Sequence, residues 1–251
     1  MTYPKELTVV TLECCPSTND YLRRRWAEWQ DRLPVLVLSR EQTSGRGRDK
    51  RRWFSGKDLG VYASFGVALP AGAEAGLMPL AAGLAAAETL ESLSDHRFFI
   101  KWPNDVLCKR RRKIAGVLCE AFAQGEQSAG VVGIGMNVAQ HEEDFPPNLR
   151  WTATSLAMIM AESPPVYRVA EILAERFLGW LPRLGKRDSP ALIAEVNRRG
   201  EFLLDRQIAF HQGKKEIRGV YRGIAADGGV ILENEKGEAK TYHSGEIVSI
   251  I

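Results

Sequence analysis

Apolar residues along the chain recur with a period of two in some stretches and about 3.6 in others, and the switches divide it into strands and helices. Leu7 to Glu13 (LTVVTLE) is a short β-branched run that predicts a strand. Ser17-Thr18-Asn19-Asp20 comes next, a cluster of helix-capping residue types, and predicts a helix running through Trp29. Pro34 precedes VLVLS, a buried strand, and LGVYASFGVAL at 59–69 predicts another. Between those two strands lie Gln42 and a glycine-arginine segment, which therefore sits as a loop at one edge of a core. Over 76–93, Leu77, Leu80, Ala81, Leu84 and Ala87 share one helical face and Pro79 suits the first turn, so this is a core helix.

From Phe98 the chain alternates short apolar runs with turns: FFIKW, VLCK, KIAGVLCEAF and, after a turn at Gly125-Glu126, SAGVVGIGMNV. That alternation predicts antiparallel strands. Helical spacing returns over Val166–Leu184, where Val169, Ile172, Leu173, Phe177 and Leu181 form the buried stripe, and again over Pro190–Arg199. These helices would cover the sheet. Past Gly200, five strand-like runs (QIAFH, EIRGVYRGI, GVILEN, AKTYH, EIVSI) are separated by glycine or charged turns and predict a small β-barrel. The expected class is α+β, a mixed sheet covered by helices over residues 1–200, with the barrel over 201–251. No internal repeat or low-complexity linker interrupts it.

At 251 residues, 45% hydrophobic and 26% charged, the chain is long enough to bury a full core in one large and one small domain. Its net charge is only +3, so basic residues are concentrated locally instead of spread over a nucleic-acid-binding face. Cys14, Cys15, Cys108 and Cys119 show no metal-binding or disulfide spacing, which suits a reducing cytosol and predicts no metal site. The N-terminal stretch lacks an export-type apolar core, and no run of about 18 apolar residues occurs, so a soluble, cytoplasmic protein with no membrane partner is expected.

The densest chemistry is GRGRDKRRW at 45–53, where two glycines interleave with Arg46, Arg48, Lys50, Arg51 and Arg52 and Trp53 closes the run. Glycine lets backbone N–H groups approach an anion closely, and the arginines add forked donors. A loop so charged repels itself without a polyanion. Its composition is that of a loop built to close over phosphate, and, taken alone, a basic surface turn and a nucleic-acid patch together weigh about as much as that reading. A second basic run, 109–113, ends on Lys113, which enters the apolar stretch IAGVLCEAF and so can aim inward. Standard nucleotide and hydrolase signatures are missing: Gly56-Lys57 is followed by Asp58, not Ser or Thr, and no G-x-G-x-x-G, G-x-S-x-G or H-E-x-x-H occurs. What remains is a set of polar residues at strand ends: Ser17, Thr18, Gln42, Asn104, Asp105, Lys113 and Asn137. Such a set suits a small polar ligand bound beside a phosphate. Some have a plainer reading, since Ser17 and Thr18 also cap a helix and Asp105 also suits a turn; nearby Trp102 suits a core.

STND at 17–20, EQTSGRGRDKRRW at 41–53, KWPNDV at 101–106, KIAGVL at 113–118, GIGMN at 133–137 and SGEIVSI at 244–250 fall in the order seen in the biotin protein ligases. The chain resembles that family from about residue 10 to its end. The resemblance implies a class II synthetase-like catalytic domain with an SH3-like C-terminal barrel. It implies ATP-dependent formation of biotinyl-5'-AMP and transfer of biotin to a lysine of the biotin carboxyl carrier protein of acetyl-CoA carboxylase or a related carboxylase. ATP and Mg²⁺ would be co-substrates, with no tightly bound cofactor. By resemblance, Ser17, Thr18, Asn19, Gln42 and Gly116 hold biotin together with Arg46, Gly47, Arg48 and Lys113. Lys113 and Arg48 carry the chemistry, Lys113 at the biotin carboxylate and α-phosphate and Arg48 around the adenylate. Arg46, Gly47, Arg48, Arg51, Lys101, Asn104, Asp105 and Asn137 serve the nucleotide, and Trp53 matches the position that stacks on adenine. Repressor members carry an N-terminal helix-turn-helix domain, whereas only 16 residues precede Ser17, so the type without DNA as a partner is expected. Family members often dimerise through the central sheet, which leaves a homodimer open. Two rivals stand: a lipoate protein ligase, opposed by GRGRDKRRW with KWPND, and a nucleic-acid-binding module using the two basic runs, opposed by the near-neutral charge.

Overall fold

The β-branched run near the N-terminus forms β1 (Thr8–Leu12), and the buried run after Pro34 forms β2 (Val35–Ser39) beside it in parallel. The computed structural model describes residues 2–70, 72–124, 127–185 and 188–251. β3 (Gly60–Ala68), β4 (Phe99–Lys101), β5 (Asp105–Leu107), β6 (Lys113–Gln124) and β7 (Gln127–Asn137) complete a seven-stranded mixed sheet in the order β1-β2-β3-β7-β6-β5-β4. Every pair other than β1–β2 is antiparallel. The turn expected at Gly125-Glu126 lies outside the described residues.

The first helix is shorter than its capping signal suggested. α1 (Thr18–Arg24) ends at Arg25, whose backbone leaves helical values (φ −104°, ψ 20°), and a single turn, α2 (Trp26–Trp29), follows at a new angle. The break lets Trp26 drop edge-on against Phe122 of the sheet, ring centroids 4.8 Å apart, in a cluster with Leu22, Val35, Val37 and Val131. Burying an indole outweighs the one or two helical hydrogen bonds forgone.

On the opposite face lies α3 (Met78–Leu93), with 11 of its 16 residues buried. One apolar face had been expected. α3 is enclosed on more sides because α4 (Val166–Trp180) packs along it and α5 (Ser189–Arg199) touches its far end, which is why alanines fill the positions between the larger side chains. The helix expected over 166–184 closes in a tighter turn at Leu181–Leu184, where Pro182 cannot donate an α-helical hydrogen bond. No helix among the described residues is long and apolar enough to cross a membrane.

After Gly200, β8 (Gln207–Gln212), β9 (Lys215–Ile224), β10 (Val230–Glu233), β11 (Ala239–Tyr242) and β12 (Glu246–Ile250) form an antiparallel sheet in the order β11-β10-β9-β8-β12. Its apolar side is continuous with the main core. Trp102 joins them, its ring 5.8 Å from Phe210 and its Nε1 donating to Gly228 O at 2.9 Å, so the core reading of Trp102 holds.

One buried charge ties these layers together. Arg199, 3% exposed at the end of α5, donates to both carboxylate oxygens of Glu91 on α3 (2.6 and 2.8 Å), to Glu195 (2.8 Å) and to Phe98 O (3.3 Å). Burial opposes ionisation of Glu91, but Arg199 and the Phe98 N–H outweigh it and hold its carboxyl below the ordinary value. Removing one partner of a buried network strands the others. Arg199→Leu is therefore expected to cost about 3 kcal/mol of stability, read as a fall in urea midpoint at unchanged slope; an unchanged midpoint would mean that solvent screens the cluster.

Candidate active site

The site is built along β6. Lys113 opens that strand, Gly116 lies one turn of pleat beyond it, and Leu118 offers its carbonyl to the first helix. Five residues of strand span roughly 17 Å at about 3.3 Å each, so a polar end and a cationic end are held a fixed distance apart.

At the polar end the start of α1 points into the sheet. Ser17 has extended backbone and caps the helix through a long contact from Asp20 N at 3.5 Å, which leaves most of its hydrogen-bonding capacity unspent. Thr18 N donates to Gln42 Oε1 at 2.8 Å, and Gln42 Nε2 in turn donates to Ser55 Oγ at 2.8 Å. Asn19 donates from Nδ2 to Leu118 O at 3.1 Å. Ser17, Thr18 and Asn19 are all buried. Gly133, paired with Leu118 across β6 and β7, leaves the room that the Asn19 amide fills, and a Cβ there would collide with it.

Between the two ends the floor is bare backbone. Gly116 and Gly135 face each other across β6 and β7, and the indole of Trp53 lies over both; a Cβ on Gly135 would come within 2.5 Å of Trp53 Cε2. Trp53 Nε1 is buried and has no hydrogen-bond partner among the described residues. A groove that needs two glycines to admit an aromatic ring is also one that admits a flat or extended ligand.

The cationic end is held open by carboxylates. Lys113 Nζ sits 2.5 Å from Asp105 Oδ1, and Lys101 Nζ 3.4 Å from Asp105 Oδ2. Burial opposes ionisation of Asp105, yet the two lysines outweigh it and keep its carboxyl below the ordinary range. In the 45–53 loop, Arg46 pairs with Asp20 and, more distantly, Glu120; Arg51 reaches Glu246 of β12 at 2.6 Å; and Arg48 donates to Gly245 O at 2.9 Å. Asp49 and Lys50 take left-handed backbone (φ 54° and 61°) in succession, a conformation costly for lysine and typical of ligand clamps.

Over residues 11–137 the chain matches the sequence pattern of the biotin/lipoate A/B protein ligase family, and over 203–248 that of the biotin protein ligase C terminal domain. The chain belongs to the biotin/lipoate A/B protein ligase family. It is 31% identical over 244 residues to the biotin–[acetyl-CoA-carboxylase] ligase of Mycobacterium tuberculosis, covering 93% of this chain and 86% of that protein. It is 32% identical over 252 residues to the bifunctional ligase/repressor BirA of Salmonella typhimurium, covering 95% and 73%. Among solved structures, the biotin protein ligase of Aquifex aeolicus in complex with biotin and ATP superposes with a TM-score of 0.81 at 28% identity, covering 96% of this chain and 97% of that one.

Every residue nominated from the sequence borders a single cavity of about 620 Å³. Among the described residues, five arginines (Arg46, Arg48, Arg51, Arg52, Arg111) and two lysines (Lys101, Lys113) line it, against one carboxylate, Asp105. Two nominees have part of their amide committed to the chain: Asn137 donates to Thr154 O at 2.9 Å and accepts from Gln140, and Asn104 donates to Val117 O at 2.8 Å. They brace neighbouring segments from within the lining. Residues not nominated include Gly133 and Gly135 of the floor, Ser55 behind Gln42, Ser64 behind Thr18, and Arg111, which stacks on Phe202 at 3.5 Å and brings the second basic run to the cavity. Glycines inside the strand pattern GIGMN were the available signal for the floor.

Asp105 gives this site a pH signature. Its carboxyl titrates lower in the folded than in the unfolded chain, so the stability it contributes is present above the unfolded value of about 3.9 and is lost as pH falls through the folded value. The gap in urea midpoint between the parent and Asp105→Asn is expected to be constant near neutrality and to narrow below about pH 4. A gap independent of pH would mean that the lysines do not depend on this charge.

Proposed function

We propose that this ligase activates biotin with ATP and passes it to a lysine of a biotin carboxyl carrier protein. The observation that carries the reading is the two-ended slot: buried hydrogen-bonding groups at one end, seven cationic side chains at the other, and a glycine floor between. Biotin has the matching shape, a ureido ring with two N–H donors and a carbonyl, an apolar chain, and a carboxylate. A dithiolane such as lipoate offers no N–H groups, and each buried partner left unmatched would cost about 1–3 kcal/mol.

Both reactants of the first step are anions, and neutralising their repulsion is the main task of the site. A carboxylate oxygen of biotin attacks the α-phosphorus, the bond to the β-phosphate oxygen breaks, and pyrophosphate leaves. Lys113 stands where the carboxylate and α-phosphate meet, and Arg46, Arg48 and Arg51 exchange their protein partners for phosphate oxygens. In the second step the acceptor amine attacks the acyl carbon, AMP leaves, and one proton is released. Trp53 leaves the glycine floor to the ligand chain and offers its face to adenine. Mg²⁺ would enter with ATP and be held by the phosphate oxygens, with Asp105 the one carboxylate that lines the cavity among the described residues. The loop at 45–53 then covers the mixed anhydride and keeps water from it.

Biotin-dependent exchange of labelled pyrophosphate into ATP tests the first step, with lipoate and octanoate in parallel. Exchange with biotin alone is expected; exchange with lipoate alone would move the chain to the other branch of its family, and exchange with none would overturn the ligase reading. Lys113→Ala is expected to slow exchange by about 10²–10³-fold in a protein that melts as the parent does. Arg48→Ala is expected to release biotinyl-5'-AMP faster in a stopped-flow chase, and an unchanged lifetime would remove the loop's protective role.

A further inference from the structure

Ser64 sits in the middle of β3, fully buried behind Thr18 and outside the cavity lining. Its Oγ lies 2.5 Å from Asn19 Oδ1 and 2.7 Å from Thr18 Oγ1, and Thr18 Oγ1 lies 3.1 Å from Gln42 Oε1. The amide orientations are set independently. Asn19 Nδ2 is committed to Leu118 O, so its Oδ1 faces Ser64; Gln42 Nε2 is committed to Ser55, and its Oε1 accepts from Thr18 N. Both amide oxygens can only accept.

Three oxygen–oxygen contacts are thus served by two hydroxyl protons, one on Ser64 and one on Thr18. The two short contacts take them: Ser64 donates to Asn19, and Thr18 donates to Ser64. The longer contact, between Thr18 Oγ1 and Gln42 Oε1, is left as two acceptors side by side. It is also the one whose atoms belong to cavity-lining residues. A ligand hydrogen-bond donor placed between them supplies the missing proton, whereas an apolar or acceptor-only head group leaves the two acceptors opposed.

We infer that Ser64 is a positioning residue which, by drawing the Thr18 proton away from the cavity, makes this end of the site an acceptor pair selective for a ligand hydrogen-bond donor. The inference rests on the biotin reading, in which a ureido N–H is that donor. Without Ser64 the Thr18 proton turns to Gln42, the deficit disappears, and the donor preference goes with it.

The test is pyrophosphate exchange by the full chain with Ser64→Ala, Ser64→Cys, Thr18→Val and the Thr18→Val/Ser64→Ala double variant, each checked by thermal melting. Ser64→Ala is expected to raise KM for biotin about tenfold, the equivalent of one hydrogen bond, with kcat within about twofold. Ser64→Cys, which keeps a weak donor, is expected to fall between parent and alanine. In the Thr18→Val background, Ser64→Ala is expected to add nothing, because its route to the ligand is already gone. A KM unchanged in both single Ser64 variants, or additive effects in the double variant, would overturn the inference while leaving the ligase reading intact. No biotin-dependent exchange by the parent would overturn both.

Discussion

Seven cationic side chains facing one cleft is the condition around which the rest of this molecule is arranged. Like charges at such density repel, and the chain meets the repulsion by giving most of them an anion or carbonyl to rest on. Arg46 rests on Asp20, Arg51 on Glu246, Arg48 on the Gly245 carbonyl, and both lysines on Asp105. Arg46 and Arg51 are about half exposed, where an ion pair contributes at most about 1 kcal/mol, so a phosphate can displace the protein partner at little cost. Asp105 differs in being only 17% exposed and shared by two lysines, which makes it a fixed counter-charge instead of an exchangeable one. Under the proposed function, the loop arginines can therefore change partners while Lys113 keeps its own.

This arrangement gives the C-terminal sheet a role in the site. Gly245 and Glu246 belong to the turn and first residue of β12, and they hold Arg48 and Arg51 from across the cavity. The sheet keeps that position because its core is continuous with the main one through Trp102 and Phe210, and because Arg199 clamps α5, the element leading into it, onto α3. Stability in the core thus sets the reach of the loop at the surface.

Much of this was legible in the sequence because it is written locally. The glycine-arginine run, the lysine entering an apolar strand and the capping cluster before α1 are each defined by neighbours within a few positions, and all of them border the cavity. Less was legible where meaning depends on residues far along the chain. Arg51 finds its carboxylate 195 positions away, and Ser64 meets Asn19 across 45. In the sequence Ser64 is one small residue in an apolar strand, with nothing beside it to mark a hydroxyl network. The break at Arg25 was hidden for a similar reason, since the pull on Trp26 comes from Phe122. Asn137 shows the reverse case, where a polar residue in a conspicuous motif turns its amide to Thr154 and Gln140.

The two ends of the slot divide the work because their surroundings differ. At the wet end, charge supplies driving force but little selectivity: any phosphate or carboxylate answers an arginine, and water competes for it. At the dry end a hydrogen bond contributes only modestly when made but is costly when left unmade, and that asymmetry is what discriminates between head groups. Binding strength drawn from the cations can therefore be used to force a head group into the buried end, where a wrong one leaves acceptors unmatched. Under the proposed function the glycine floor lets the same ligand reach both, and a side chain at Gly116 or Gly135 would separate recognition from chemistry by filling the space between them.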